Sequence, residues 1–194
     1  MRNREQLIAV ALLALALPRL GDALAELPGR PVLEALEAGR PVSRQALEIL
    51  ADSAARVDGP DARRAEAAAL LRLGDERAAA VLVAGLARSP ADPYGWLRLA
   101  HADPAQAPRA LALSLRTGRW ERDLALDRLS VAADHFSALD AATRREILEQ
   151  VRWLWRLDAP ALMRALPPPA HWPLYRRALS GPALETVAAR VGMD

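Results

Sequence analysis

Between Glu121 and Phe136 the residues Asp123, Asp127, Ser130 and Asp134 recur at steps of four, three and four. On a helix that spacing puts them on one face. Three carboxylates in a row would attract a hard cation or a basic partner. A cation site, however, needs ligands converging from more than one helix, and His135 falls away from this stripe. The same spacing describes an ordinary solvated face. His101, His135 and His171 are far apart, and no two have the spacing of a metal pair. Ser43, Ser114 and Ser180 lack the context of a nucleophile elbow, and there is no glycine-rich phosphate loop. With no cysteine, thiolate and disulfide chemistry are excluded. The expectation is that the chain has no catalytic, cofactor-binding or metal-binding residues.

Basic residues come in pairs: Arg63-Arg64, Arg144-Arg145 and Arg176-Arg177. Gathered on one surface they would meet phosphates or anionic headgroups. Each has acids close by, such as Asp61 and Glu66 or Asp140 and Glu146, so salt pairs along helices are the better reading. All 26 basic residues are arginine, and against 24 acids the net charge is only +2, so no strongly basic surface is expected. Residues 171–177 (HWPLYRR) mix aromatics with arginines, as an interfacial or glycan-stacking patch would. A packed C-terminal cap explains them as well.

The elements that must position these residues are helices. Hydrophobic residues make up 52% of the chain, mostly Ala and Leu, and no segment alternates as a strand would, so an all-α fold is expected. Pro, Gly and capping residues punctuate the helices. They are expected over residues 31–38, 44–56 (capped by Ser43), 62–73, 76–88 (capped by Asp75) and 93–102 (capped by Asp92). Asp103-Pro104 signals the next, ending near Gly118. Further helices are expected over 120–136 and 141–157, with a new start at Asp158-Ala159-Pro160. Three prolines at 167–169 break the chain, and two short helices flank Gly181-Pro182.

Residues 59–102 carry a repeat pattern. Tetratricopeptide units have a period of about 34 residues, with small residues where helices touch, a closing Pro and an opening Trp. Ala78, Leu82, Gly85 and Pro90 fill the second-helix and closing positions, and Trp96, Leu99 and Ala100 the first-helix positions of a following unit. The repeat is degenerate: Ala62 stands where a large aromatic is expected, and no third unit follows in register. The domain organisation read from this is a hydrophobic segment at 1–25, a helical linker at 26–58, degenerate hairpins at 59–119 and a C-terminal helical extension or cap at 120–194.

In the helix over 141–157, Ile147, Leu148, Val151, Leu154 and Trp155 share one arc, whereas Trp153 falls opposite. An exposed Trp often anchors a partner, but a helix packed on two sides would bury it. The candidate partner-binding residues are therefore Tyr94, Arg98, His101 and Trp153, with Trp96 and Leu99 assigned to packing.

At the N-terminus Arg2 and Arg4 precede the wholly apolar residues 7–17, with Pro18 and Arg19 after them. Eleven helical residues give roughly 16 Å, short of a hydrocarbon core of roughly 30 Å. Three readings stand: an uncleaved anchor with Arg4 and Arg19 snorkelling to opposite interfaces, a secretory signal cleaved after Ala25, or a buried first helix. In the first two, Arg2 and Arg4 stay cytoplasmic and the rest of the chain lies outside the inner membrane.

Residues 96–100 (WLRLA), 113–119 (LSLRTGR), Arg128-Leu129, Gln150 and Trp155-Arg156 resemble small membrane-anchored tetratricopeptide-like proteins. Those proteins occur with bacterial exopolysaccharide biosynthesis and export systems. The resemblance covers most of the chain after Ser89. It implies a non-enzymatic adapter or scaffold of the cell envelope, facing the periplasm, with protein partners in the polysaccharide machinery and a membrane contact through its N-terminal helix. Neither nucleic acid nor a small-molecule substrate is expected. The alternatives are a soluble regulatory or nucleic-acid-binding helical module and a small glycan-modifying enzyme.

Overall fold

The computed structural model describes residues 29–37 and 40–192. The apolar segment 7–17 and the Ala25 cleavage site lie outside the described residues. Those described form ten α-helices and no strand, in two compact units, Met1–Pro90 and Ala91–Asp194. The division falls inside the segment read as repeat hairpins, at the proline that closes the first repeat unit.

The first unit contains α1 (Arg30–Glu37), α2 (Arg44–Ala55), α3 (Pro60–Leu73) and α4 (Arg77–Arg88). As expected, Ser43 caps α2, its Oγ accepting from the Ala46 N–H at 3.2 Å. Helix α3 packs on both α2 and α4. Five of its seven buried residues are alanine (Ala62, Ala65, Ala67, Ala68 and Ala69), and small side chains let one helix take a neighbour on each side. Gly74 ends α3 in the left-handed region (φ +71°), where a side chain would be strained. Asp75 then accepts from the Arg77 N–H at 2.9 Å. It also takes the Arg77 guanidinium at 2.6 Å. These bonds hold its carboxyl down at about 2. Helices α3 and α4 come close at Gly85, where an added Cβ would lie 3.3 Å from the Arg63 Cβ. Ala78, Leu82 and Leu86 are buried along α4.

The second unit contains α5 (Pro93–Ala102), α6 (Ala107–Thr117), α7 (Arg122–His135), a 3-10 turn (Phe136–Ala138), α8 (Ala141–Ala165), α9 (Pro168–Ala178) and α10 (Pro182–Val191). Helices α5 and α6 form a tight hairpin; α7 packs on both, α8 on α7 and α6, α9 on α8, and α10 on α9. Three starts differ from the sequence reading. Asp103 spends its carboxylate on the Ala105 N–H (3.0 Å) and on Gln106 Nε2 (2.6 Å), which makes a separate turn, so α6 begins only at Ala107. Residues 119–120 form a turn rather than a first helical turn, and α7 starts at Arg122. The break at Asp158 is a kink inside α8 (φ −157°, ψ 73°), with Asp158 Oδ1 recapping the chain through the Ala161 N–H at 2.9 Å. Pro160, which lacks an N–H, enters just after it.

The C-terminal cap is packed rather than displayed. Tyr175 is buried, its hydroxyl donating to the Leu166 carbonyl at 2.8 Å, and burial pushes its pKa up to about 12. Arg152 ties α8 to the end of α9 through the Ala178 carbonyl at 2.8 Å.

Gly118 is a close backbone approach in the second unit. An added Cβ there would meet Pro93 Cγ at 2.8 Å and Cβ at 2.9 Å, both part of a rigid ring. Gly118→Ala should therefore lower unfolding free energy by about 1–3 kcal/mol, read from urea denaturation. Wild-type stability in that variant would show that the α5 start and the α6 end are not locked here.

Candidate functional site: a clamped turn that displays a tryptophan

The turn between α6 and α7 is held from beneath by two buried polar side chains. Arg128, in the middle of α7, is 0% exposed. Its Nη1 donates to the Gly118 carbonyl at 2.7 Å, its Nη2 to the Ser114 carbonyl at 2.7 Å and its Nε to Ser114 Oγ at 2.9 Å. Ser114 Oγ in turn donates to the Pro93 carbonyl at 2.8 Å, so one guanidinium joins α7, the end of α6 and the start of α5. Among the described residues no carboxylate bonds to it. Burial lowers its pKa to about 10, with the charges of Glu121 and Tyr94 opposing, and it stays a cation at neutral pH. Desolvating such a cation costs several kcal/mol. Three charge-assisted bonds at about 1.5–3 kcal/mol each are of the size needed to offset it, and the negative end of the α6 dipole adds to them.

The next carbonyl along, that of Arg119, accepts from Gln150 Nε2 of α8 at 2.7 Å. Gln150 is 1% exposed, and its buried Oε1 has no partner among the described residues. Consecutive carbonyls of one turn are thus gripped from two helices. What the turn presents is Trp120, 53% exposed. Trp153 of α8 meets it edge to face, with ring centroids 5.7 Å apart and planes at 66°. The Arg119 guanidinium stands 5.1 Å from the Trp120 centroid and bonds Glu149 Oε2 at 2.6 Å. Glu149, Trp153 and Leu157 follow at steps of four on α8, and Leu157 is 46% exposed. The strip is charged at one end, at Arg119 and Glu149, and carries Trp153 and Leu157 along α8 beyond it.

Of the sequence candidates, Trp153 belongs to this cluster. Tyr94, Arg98 and His101 do not join it: they share a face of α5 at steps of four and three. Tyr94 is half-buried; burial first, then the charge of Asp123, raises its pKa. His101 Nε2 meets Asp127 Oδ1 of α7 at 2.9 Å. The acidic stripe is a solvated face, with Asp123, Asp127 and Asp134 exposed, and among the described residues no group of three or more His, Asp or Glu could hold a metal. At least one member of each basic pair is engaged within the fold. Arg63 bonds Glu66 at 2.8 Å and Arg64 lies 3.6 Å from Asp61. Arg144 donates to the Leu139 carbonyl rather than to a nearby acid, and Arg177 stacks on Phe136 at 5.0 Å. Leu99 is buried and Trp96 half-buried.

Arg128, Gln150 and Trp120 were not among the sequence candidates for a site. The signal for Arg128 was its setting: Leu124, Ala125, Val131 and Ala132, three and four residues away on either side, are all buried. A charge at the centre of an apolar arc announces a buried, partnered group. Gln150 likewise sits between Ile147 and Leu154 of the core arc. Trp120 had no periodic signal, because it lies in a turn.

No family model matches the chain, and neither a curated protein nor a solved structure does.

Arg128→Met should destabilise by about 2–4 kcal/mol, since it strips a donor from the buried Ser114 carbonyl and from the part-buried Gly118 carbonyl. Arg128→Lys should recover only part, because an ammonium cannot reproduce the planar fork; both are read from urea unfolding. The His101 pair makes a second prediction. Its bond to Asp127 raises the His101 pKa, with burial opposing and Asp134 adding. A raised folded pKa means that the bond's contribution is whole below the ordinary histidine value of about 6.5 and is lost as pH rises through the higher folded value. Stability should fall by less than about 1 kcal/mol across that window, the pair being half-exposed. The slope attributable to His101 should vanish in Asp127→Asn.

Proposed function

We propose that the chain is a non-enzymatic adapter, and that the strip around Trp120 and Trp153 is where it holds a protein partner. The observation that carries this reading is the clamped turn. Two buried polar side chains are committed to backbone carbonyls 118 and 119, and the turn they hold keeps a large indole in water. A pre-ordered aromatic anchor loses little conformational freedom on binding, which is the property of an interface hot spot.

The degenerate tetratricopeptide-like reading is supported by the α3–α4 hairpin, with its close approach at Gly85 and buried Ala78 and Leu82, and by the buried Leu99 and Ala100 of α5. Place and pathway rest on sequence. The apolar residues 7–17 support an envelope protein held at the inner membrane or exported past it. The resemblance to membrane-anchored tetratricopeptide-like proteins supports an accessory role in exopolysaccharide biosynthesis or export, with the domain in the periplasm. Among the described residues no helix is long and apolar enough to cross a membrane, so the membrane contact in this proposal falls to residues 1–25.

Capture of partners from native-host membranes tests the proposal. Trp120→Ala should leave the melting temperature within a few degrees of wild type and reduce capture at least ten-fold, as expected of a hot spot worth about 1.4 kcal/mol or more. Undiminished capture by a folded Trp120→Ala, Trp153→Ala double variant would sink the assignment of this surface.

A further inference from the structure

Segments from three helices meet at one buried hydroxyl. Ser114 is 0% exposed. Its Oγ donates to the Pro93 carbonyl at 2.8 Å and accepts from Arg128 Nε at 2.9 Å. Pro93 is the first residue of α5, and its ring lies where a Cβ on Gly118 would fall. The second unit begins at Ala91, so the chain enters that unit through this contact. On the other side Arg128 holds the Ser114 and Gly118 carbonyls, and with them the turn that carries Trp120. The start of α5 and the Trp120 turn thus close on the same few atoms, although the whole of α6 lies between them in the chain.

Opening either one alone is unfavourable. If the start of α5 moves away by itself, the Ser114 hydroxyl stays in the interior and loses its acceptor. If the turn moves away by itself, a buried guanidinium loses the Gly118 carbonyl. A polar group that loses its partner while still buried bears its full desolvation cost, and a charged group bears more. Opening both together lets water reach all of these groups. A cost shared in this way makes a local opening cooperative.

We propose that the first turn of α5 and the Trp120 turn open and close as one unit, linked through the Ser114 hydroxyl, so that the entry of the chain into the second unit sets how firmly Trp120 is displayed. Asp92, which caps α5 through the Tyr94 N–H at 3.0 Å, is then a positioning residue for a turn it does not touch. The consequence for partner binding rests on the adapter reading; the joint opening does not.

Amide hydrogen exchange of the full chain in a mild detergent, followed by NMR at a pH where closing outpaces exchange, tests it. Three amides report. That of Trp96 donates to the Asp92 carbonyl at 3.2 Å in the start of α5, that of Glu121 to the Gly118 carbonyl at 3.3 Å in the turn, and that of Glu185 to the Gly181 carbonyl at 3.1 Å in the start of α10. Asp92→Ala removes a cap and should speed exchange at Trp96 by about five-fold. Joint opening requires a similar factor at Glu121 and no change at Glu185. Gln150→Leu frees the Arg119 carbonyl and should act in the other direction, speeding exchange at Trp96 as much as at Glu121. In a Ser114→Ala background Asp92→Ala should still speed Trp96 and no longer speed Glu121. An effect confined to the altered end, in either variant, overturns the inference. An equal effect at Glu185 also overturns it, because the whole unit then unfolds together. Full transmission without the Ser114 hydroxyl overturns its role as the link. If the two ends are uncoupled while Trp120→Ala still loses partner capture, the adapter reading stands and only the joint opening falls. If they are coupled while the folded Trp120→Ala, Trp153→Ala double variant keeps full capture, the joint opening stands and the assignment of the binding surface falls.

Discussion

A guanidinium without a carboxylate is the constraint on which the second unit depends. Arg128 is wholly enclosed, and a buried cation is tolerated only where acceptors already point inward. The end of α6 supplies them, in the carbonyls of Ser114 and Gly118. The unsatisfied carbonyls of a helix terminus and the unsatisfied donors of a desolvated arginine each remove the other's penalty. Because Ser114 also reaches the Pro93 carbonyl, the same few atoms set where α5 begins, where α6 ends and how α7 crosses them. Gly118 follows from this. With the backbone drawn against the Pro93 ring, a Cβ has no room.

The surface feature is a consequence of that interior. The turn after Gly118 has little freedom, since Arg128 holds one of its carbonyls and Gln150 the next. Gln150 does so although its own Oε1 is left without a partner among the described residues, a burden that an apolar residue at this point would avoid. Polar groups spent in this way order a turn more than they stabilise a core. The indole displayed by the turn is then met by Trp153 from α8, so that an interior hydrogen-bond network and an exterior aromatic contact define the same place. Among the described residues of the first unit there is no comparable device. It is assembled on alanine, with α3 serving as the shared wall of two helix pairs.

The legible parts of the fold were those encoded by local chemistry. Ser43 and Asp92 cap their helices through the bonds that their side chains suggest, and α3 ends at Leu73 and α8 before the three prolines at 167–169, where ends were expected. The core arc of α8 is recovered in Ile147, Val151 and Leu154. Misreadings arose where a capping residue had a second use. Asp103 looks like the start of a helix but closes a turn of its own, which delays α6 to Ala107. Of the partner residues read from sequence, Trp153 lies at the clamped turn. His101 is bound to Asp127, a contact 26 positions away that no helical period can show.

By itself the sequence determined the all-helical class, most helix ends and the absence of thiol chemistry, because caps, glycines, prolines and 3.6-residue periodicity act within one or two turns of chain. It also contained the anomaly of a charged residue centred in an apolar arc. Only the tertiary structure decided what that anomaly is for. The acceptors that make a buried Arg128 tolerable lie 10 and 14 residues upstream, on another helix. The partner of Trp120 is 33 residues downstream. Hydrogen bonds and ring contacts act over 3–6 Å of space, without regard to chain separation, so the site existed for the sequence only as scattered residues until the helices brought them together.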